Sequence, residues 1–221
     1  MTFTEELIKY SMDIWVQYLT HPFTTKAVNG TLDKELFKNY IIEDSIYLRE
    51  YSRVFAAGMY KSTTKQDIRF FYELLSFVEE GEASTRLNYV KELGLNDDWI
   101  NSIEPRKENK EYIDYMLSVA KNGTPLEILV VILPCILSYG YIFSELVKKS
   151  GGINENNPYK DFLDDYTNQE WIQYSLKCEN YVNQMANNLK INSDYKEKLC
   201  NIFRNSSICE LKFWDMANSY R

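Results

Sequence analysis

Histidine is nearly absent from this sequence: His21 is the one histidine among 221 residues. Zinc, haem and non-haem iron sites draw heavily on histidine ligands, so the chain has few nitrogen ligands for a metal. A Ser–His or Cys–His dyad would have to use His21, and nothing else in its segment suggests one. The chemistry of this protein is therefore expected to depend on other side chains.

Basic clusters and long apolar runs are also lacking. The net charge is −7, and no block of lysine or arginine is longer than Lys148-Lys149. Phosphate backbones are recognised by a basic face, so nucleic acid is not an expected partner. The longest apolar run, residues 128–137, is far short of the ~20 residues that span a bilayer. No membrane segment is expected.

The cysteines show no disulfide or metal-binding pattern. They lie at positions 135, 178, 200 and 209, with no CxxC pair. Residues 1–8 are polar, which predicts that no signal peptide is present. Reduced thiols in a cytoplasmic protein are the simplest interpretation.

Tyrosine, in contrast, is abundant. The chain has 18 tyrosines, and aromatic residues make up 15% of it. Such a content favours an aromatic-lined interior or interface where an apolar ring and a polar hydroxyl are both useful. At 221 residues the chain can bury a substantial core, and we predict one domain over residues 1–221.

Helix start and stop signals recur along the chain, without an alternating strand pattern or a repeat of fixed period. Thr2 with Glu5 has the spacing of a capping box, and Thr124-Pro125 is a strong helix start. Residues 104–110 are interpreted as a charged connector. Helices are predicted at about 2–19, 31 or 33–59, 64–93, 96–101, 111–120, 126–147, 158–166, 168–189 and 193–218. The predicted fold is an all-α, single-domain helical bundle.

The segment Pro134-Cys135 lies inside the most apolar of these helices. Proline removes one helical hydrogen bond and displaces the carbonyl four residues earlier, that of Val130, so a bend is expected just before a thiol. Cys135 shares a helical stripe with Tyr139. It is either a small core residue, since free cysteine is commonly buried, or a nucleophile.

Two carboxyl groups also fall on apolar helix faces. Asp44 shares a stripe with Tyr40 and Tyr47, and Glu210 lies beside Phe213. Each is either a structural carboxyl with its hydrogen bonds satisfied or a functional one. Together with inward-facing tyrosines, these groups predict a polar, aromatic pocket between the helices.

Four segments in order along the chain resemble the TenA family of thiaminase II and aminopyrimidine aminohydrolase proteins. The similarity covers nearly the whole sequence. The segments are 21–23 (HPF), 40–48 (YIIEDSIYL), 133–135 (LPC) with Tyr139, and 207–217 (SICELKFWDMA). One departure is Asn88, in the segment 82–88, where some members carry histidine.

This resemblance implies a haem-oxygenase-like helical fold, a homotetramer and a set of site residues. It implies no metal or organic cofactor. Its catalytic positions are Cys135 as nucleophile, Glu210 as general acid, and Tyr47 supporting the thiol. The substrate-binding positions are Asp44, which holds the aminopyrimidine, and the pocket tyrosines Tyr139, Tyr166 and Tyr112.

The expected function is therefore hydrolysis of an aminopyrimidine in thiamine salvage, with ammonia or a thiazole as the leaving group. A second hypothesis is a non-catalytic pyrimidine-binding or regulatory protein on the same fold, although such a protein needs neither the thiol nor the acid. A third is a haem- or iron-dependent oxygenase, which would need a proximal histidine or a carboxylate–histidine cluster.

Overall fold

The computed structural model describes the backbone of residues 1–221 and the side chains of residues 1–79 and 86–221. The described backbone forms helices and no strand, which confirms the all-α prediction. A π-helical segment, Phe77–Glu82, joins the helices Lys65–Ser76 and Ala83–Glu92. The helices are α1 (Phe3–Tyr10), α2 (Met12–Tyr18), α3 (Pro22–Val28), α4 (Lys34–Lys61), α5 (Lys65–Ser76), α6 (Ala83–Glu92), α7 (Asp97–Ser102), α8 (Lys107–Asn122), α9 (Pro125–Ser150), α10 (Lys160–Thr167), α11 (Gln169–Leu189) and α12 (Ser193–Ala217).

Local capping chemistry sets many of the helix ends. In the capping box of α1, the Thr2 hydroxyl accepts from the backbone N–H of Glu5, whose carboxylate accepts from the N–H of Thr2. Thr124 accepts from the N–H of Glu127 at the start of α9. The same helix ends at Gly151 with φ +83°, a left-handed conformation that favours glycine. The two starts agree with the sequence predictions, whereas α9 continues three residues beyond its predicted end at 147.

Three predicted boundaries were wrong. The single helix predicted at 2–19 is two helices, because the backbone leaves the helical conformation at Ser11 (φ −112°, ψ 10°). The helix α3 was not predicted, because it is only seven residues long, from Pro22 to the residue before the Asn29-Gly30 turn. The supposed connector 104–110 already contains the first turn of α8. In each case the conformation of a short segment depends on the helices it packs against, and those helices lie far away in sequence.

Helix α9 is the centre of the packing. It contacts α3, α4, α8, α10, α11 and α12. By length and composition it could cross a membrane, but 83% of its most apolar window is buried inside the protein. A helix that is apolar all round is typical of a protein core when other helices cover it in this way.

Pro134 lies in the interior of α9, as the sequence predicts. The carbonyl of Val130 loses its helical partner because proline has no N–H. Near this point, the hydroxyl of Tyr51 donates to the carbonyl of Ile132 over 3.0 Å. A tyrosine of α4 thereby binds the part of α9 that carries Cys135.

The contact between α4 and α5 leaves no room for a side chain at Gly58. A Cβ atom there would lie 2.2 Å from Cε1 of Phe71, which is fully buried. We expect Gly58→Ala to lower the free energy of unfolding by about 1–3 kcal/mol, as overpacking does, despite the higher helix propensity of alanine. Urea denaturation measures this. The double variant Gly58→Ala/Phe71→Leu should recover part of the loss relative to the sum of the two single changes; full additivity would contradict the proposed clash.

Candidate active site

Five helices contribute the residues that the sequence analysis singled out. They are Asp44 and Tyr47 on α4, Tyr112 on α8, Cys135 and Tyr139 on α9, Tyr166 on α10, and Glu210 on α12. Cys135 is half-buried and the other six are buried. Every one of them therefore faces the interior, as expected.

Glu210 is held by a hydroxyl network. The Tyr112 hydroxyl donates to Oε1 of Glu210 over 2.8 Å and lies 3.1 Å from Oγ of Ser206. Ser206 in turn donates to the carbonyl of Val131 over 2.6 Å. The network joins α8, α12 and α9, and Val131 lies one helical turn before Cys135.

Cys135 and Glu210 act on the same three tyrosines. Burial is the main cause that raises the pKa of Tyr47, Tyr112 and Tyr139 well above the usual value, and charges on both Cys135 and Glu210 raise each pKa further. Electrostatic effects decline with distance, so the thiol and the carboxyl lie near one tyrosine cluster. Their raised pKa values keep these tyrosines as neutral hydroxyls that can donate hydrogen bonds.

Stacked and tilted rings extend this cluster. The ring centroids of Tyr47 and Tyr112 are 5.0 Å apart, and Tyr139 lies 4.7 Å from Tyr166 and 4.9 Å from Trp214. Such surfaces suit a flat heteroaromatic ligand. The Tyr47 hydroxyl donates to the sulfur of Met116 over 3.4 Å, which fixes its direction along the α4–α8 contact.

Asp44 is the second acid of this region. Burial raises its pKa to about 7; the nearby guanidinium of Arg86 opposes this rise, and the Glu210 carboxyl adds to it. Asp44 also raises the pKa of Tyr139. The two carboxyl groups thus interact with each other and with the same aromatic cluster, and near neutral pH Asp44 can carry a proton.

We expect Asp44→Asn to stabilise the fold at alkaline pH. Between its ordinary pKa of 3.8 and about 7, folded Asp44 holds a proton that the unfolded chain has lost. Wild-type stability therefore falls as pH rises across this interval, by up to about 1.4 kcal/mol per pH unit. Asparagine does not titrate and so does not lose this stability. The free energy of unfolding of the variant should exceed that of wild type by about a few kcal/mol at pH 8 and by almost nothing at pH 4.

Urea denaturation at both pH values measures this difference. The control is Asp97→Asn, because Asp97 also approaches Arg86, at 3.8 Å, but is half exposed. The Asp97→Asn variant should differ from wild type in the free energy of unfolding by nearly the same small amount at both pH values. A gain for Asp44→Asn that is equal at pH 4 and pH 8 would contradict a protonated, buried Asp44.

His21 has a structural position, as its sequence context indicated. Its Nδ1 accepts from the backbone N–H of Phe23 at the start of α3, and its Nε2 bonds to Asp215 of α12 over 3.2 Å. Across the residues with described side chains, no group of three His, Cys, Asp or Glu is arranged to hold a metal ion. His21 therefore serves as a helix cap.

Sequence reasoning missed two residues of this region. Arg86 approaches Asp44 from α6 and donates to the hydroxyl of Ser45 over 3.0 Å. Ser206 connects the Glu210 network to the Val131 carbonyl of α9. Neither has a local signal, because each acts on residues distant in sequence. Asn88, the departure noted above, has an exposed side chain, and residues 82–85 of its segment lie outside the described side chains.

Residues 9–220 match the TENA/THI-4/PQQC family. The chain belongs to this family. A relative named "Aminopyrimidine aminohydrolase", from Halalkalibacterium halodurans, is 31% identical over 100% of this chain and 97% of its own length. The solved structure of a TenA homologue from P. horikoshii OT3 superposes with a TM-score of 0.85 at 27% identity, covering 98% of both chains.

The fold itself also appears outside close TenA relatives. A domain of unknown function from Shewanella denitrificans, described as having a heme oxygenase-like fold, has a TM-score of 0.71 at 17% identity. The match covers 97% of this chain and 91% of that one. The prediction of a haem-oxygenase-like, TenA-type fold is confirmed.

Proposed function

We propose that this protein is an aminopyrimidine aminohydrolase of thiamine salvage. It converts 4-amino-5-aminomethyl-2-methylpyrimidine and water to the 5-hydroxymethyl pyrimidine and ammonia, and it cleaves thiamine to hydroxymethylpyrimidine and the thiazole. The name of the H. halodurans relative and the family membership of the chain support this activity.

One observation carries the proposal: a thiol and a hydrogen-bonded carboxyl lie around one cluster of neutral tyrosines. Tyr112 donates to Glu210 and responds to the charge of Cys135. A nucleophile near a buried acid is the arrangement that covalent catalysis requires. A protein that merely bound a pyrimidine would need neither group.

Asp44 is assigned to the aminopyrimidine edge of the substrate. That edge presents an amino donor beside a ring-nitrogen acceptor. A protonated carboxyl matches both positions, since its hydroxyl donates to the nitrogen while its other oxygen accepts from the amino group. The raised pKa of Asp44, about 7, allows this form at neutral pH.

Cys135 and Glu210 perform the displacement. The Cys135 thiolate adds to the ring carbon beside a ring nitrogen, and Glu210 gives its proton to that nitrogen. The ring electrons then expel the leaving group from the neighbouring methylene carbon, as ammonia from a protonated aminomethyl group or as the neutral thiazole from thiamine. Water adds at that carbon and releases one proton to solvent, the ring nitrogen returns its proton to Glu210, and the thiolate leaves.

The tyrosines position these groups. Tyr47 and Tyr112 lie near enough to the thiol for the charge of Cys135 to raise the pKa of each, and their neutral hydroxyls provide polar surroundings for a thiolate. Tyr139 and Tyr166, whose ring centroids are 4.7 Å apart, provide the stacking surface for the pyrimidine. None of these reaction steps uses a cofactor.

We also propose that residues 1–221 act as one domain in a cytoplasmic homotetramer. This assignment follows the family resemblance and the cysteine pattern described above. Light scattering of the purified protein measures the assembly directly.

Ammonia release tests the activity. The purified protein is incubated with the aminomethylpyrimidine, thiamine or a formylamino pyrimidine in parallel, and ammonia and thiazole are quantified. Turnover of the aminomethylpyrimidine is expected. Tight pyrimidine binding without any turnover would instead identify a binding or regulatory protein.

A further inference from the structure

Ser206 belongs to a chain of hydrogen bonds that begins at Glu210 and ends at the carbonyl of Val131. It is fully buried and lies one helical turn before Glu210 on α12. The linked atoms are Oε1 of Glu210, the Tyr112 hydroxyl, Oγ of Ser206 and the carbonyl oxygen of Val131, with successive distances of 2.8, 3.1 and 2.6 Å.

The protons of this chain can be counted. A carbonyl cannot donate, so the link to Val131 uses the proton of Ser206. The link between Ser206 and Tyr112 then needs the proton of Tyr112. With that proton used, the link between Tyr112 and Glu210 needs a proton on the carboxyl. Two hydroxyls supply two protons for three links, and all three form together only when Glu210 carries the third.

Ionised Glu210 leaves one of the three links unmade. Tyr112 then donates to the carboxylate, and the single proton of Ser206 serves either Tyr112 or the Val131 carbonyl but not both. The Tyr47 hydroxyl also bonds to Tyr112 and lies against the sulfur of Met116, but Tyr47 is not a member of any of the three links, so the count is unchanged. Since buried polar groups favour complete hydrogen bonding, the chain favours the protonated acid.

We propose that Ser206 is a positioning residue that, through Tyr112, keeps a proton on Glu210 between turnovers. The proposal deepens the function proposed above, because it rests on Glu210 acting as the acid. When Glu210 protonates the substrate ring, the hydroxyl of Tyr112 turns from Ser206 to the new carboxylate. It turns back when the ring nitrogen returns the proton.

Other titratable groups also face Glu210 and must be separated from this effect. They are Asp44 and Tyr47 of α4, Tyr112 of α8, Tyr139 of α9, Tyr18 of α2, and the adjacent Cys209. The buried tyrosines stay neutral. Asp44 interacts with Glu210 directly, so a measurement specific to the Glu210 carboxyl is needed.

The test compares Ser206→Ala with Ser207→Ala in the full chain. Ser207 is an equally buried neighbour, and its hydroxyl bonds to the Phe203 carbonyl and to Trp15, away from Tyr112. The pH profile of kcat/KM is recorded from ammonia release. In Ser206→Ala the alkaline limb should move to lower pH by about one unit, since one hydrogen bond that depends on the proton is lost. Ser207→Ala should leave the limb in place.

A second readout does not depend on turnover. 13C NMR of labelled glutamate carboxyls follows the titration of Glu210, whose signal is identified by its absence in Glu210→Gln. An identical Glu210 titration in wild type and Ser206→Ala overturns the role of Ser206. Undiminished turnover in Glu210→Gln would instead overturn the proposed function, which separates the two failures. If Ser206→Ala does not fold, Ser206→Cys keeps the volume with a weaker donor, and the same shift is expected at smaller size.

Discussion

Cys135→Ser is expected to lower ammonia release by roughly 10³-fold or more, as loss of a catalytic nucleophile does. A serine hydroxyl is far less ionised than a thiol at neutral pH, and it adds poorly to an aromatic ring carbon. Pyrimidine binding should persist, because Asp44 and the stacking tyrosines are unchanged. Turnover is measured as ammonia release, and binding by calorimetry with the same pyrimidine.

The matched control is Cys209→Ser. Cys209 is also half-buried, but its charge affects Tyr18 and Tyr115, and burial raises its pKa to about 12. This variant should retain nearly full activity. Equal losses in both variants would indicate a packing effect, and an active Cys135→Ser protein would end the covalent mechanism.

Glu210→Gln is expected to reduce kcat by roughly 10²- to 10⁴-fold, the usual range for loss of a general acid, with little change in KM. Glutamine keeps the size of the side chain and can still accept the hydrogen bond from Tyr112, but it cannot give a proton to the substrate ring. Steady-state kinetics on the aminomethylpyrimidine measure the two parameters separately.

Glu197→Gln provides the control on the same helix, because Glu197 is exposed near the start of α12. Its kinetics should equal those of wild type. A Glu210→Gln protein with a raised KM and an unchanged kcat would assign Glu210 to substrate binding rather than to proton transfer.

Much of the fold could be predicted from the chain alone. The helix starts at Thr2 and Thr124 are set by side chains within four residues of the backbone groups they satisfy. The bend site at Pro134 is equally local. The apolar character of α9 also predicts its burial, because such a helix must be covered by others.

The errors concern segments whose conformation depends on distant partners. The break at Ser11 has no strong local signal, and the short helix α3 has one only at its start, where proline follows the cap residue His21. Helix α3 is held by His21, whose ring bonds to Asp215 at the other end of the chain. Such pairings have to be read from the folded molecule.

The site shows the same division. The sequence by itself determined which residues are proposed to carry the chemistry, since Cys135, Asp44 and Glu210 lie in motifs that resemble one family and fall on inward helix faces. The tertiary structure decided their surroundings: the burial and neighbouring charges that raise the pKa of Asp44 to about 7, and the bonds that link Glu210 through Tyr112 to Ser206. The physical reason is that protonation depends on solvent exclusion and neighbouring groups, which helices distant in sequence supply when they pack together.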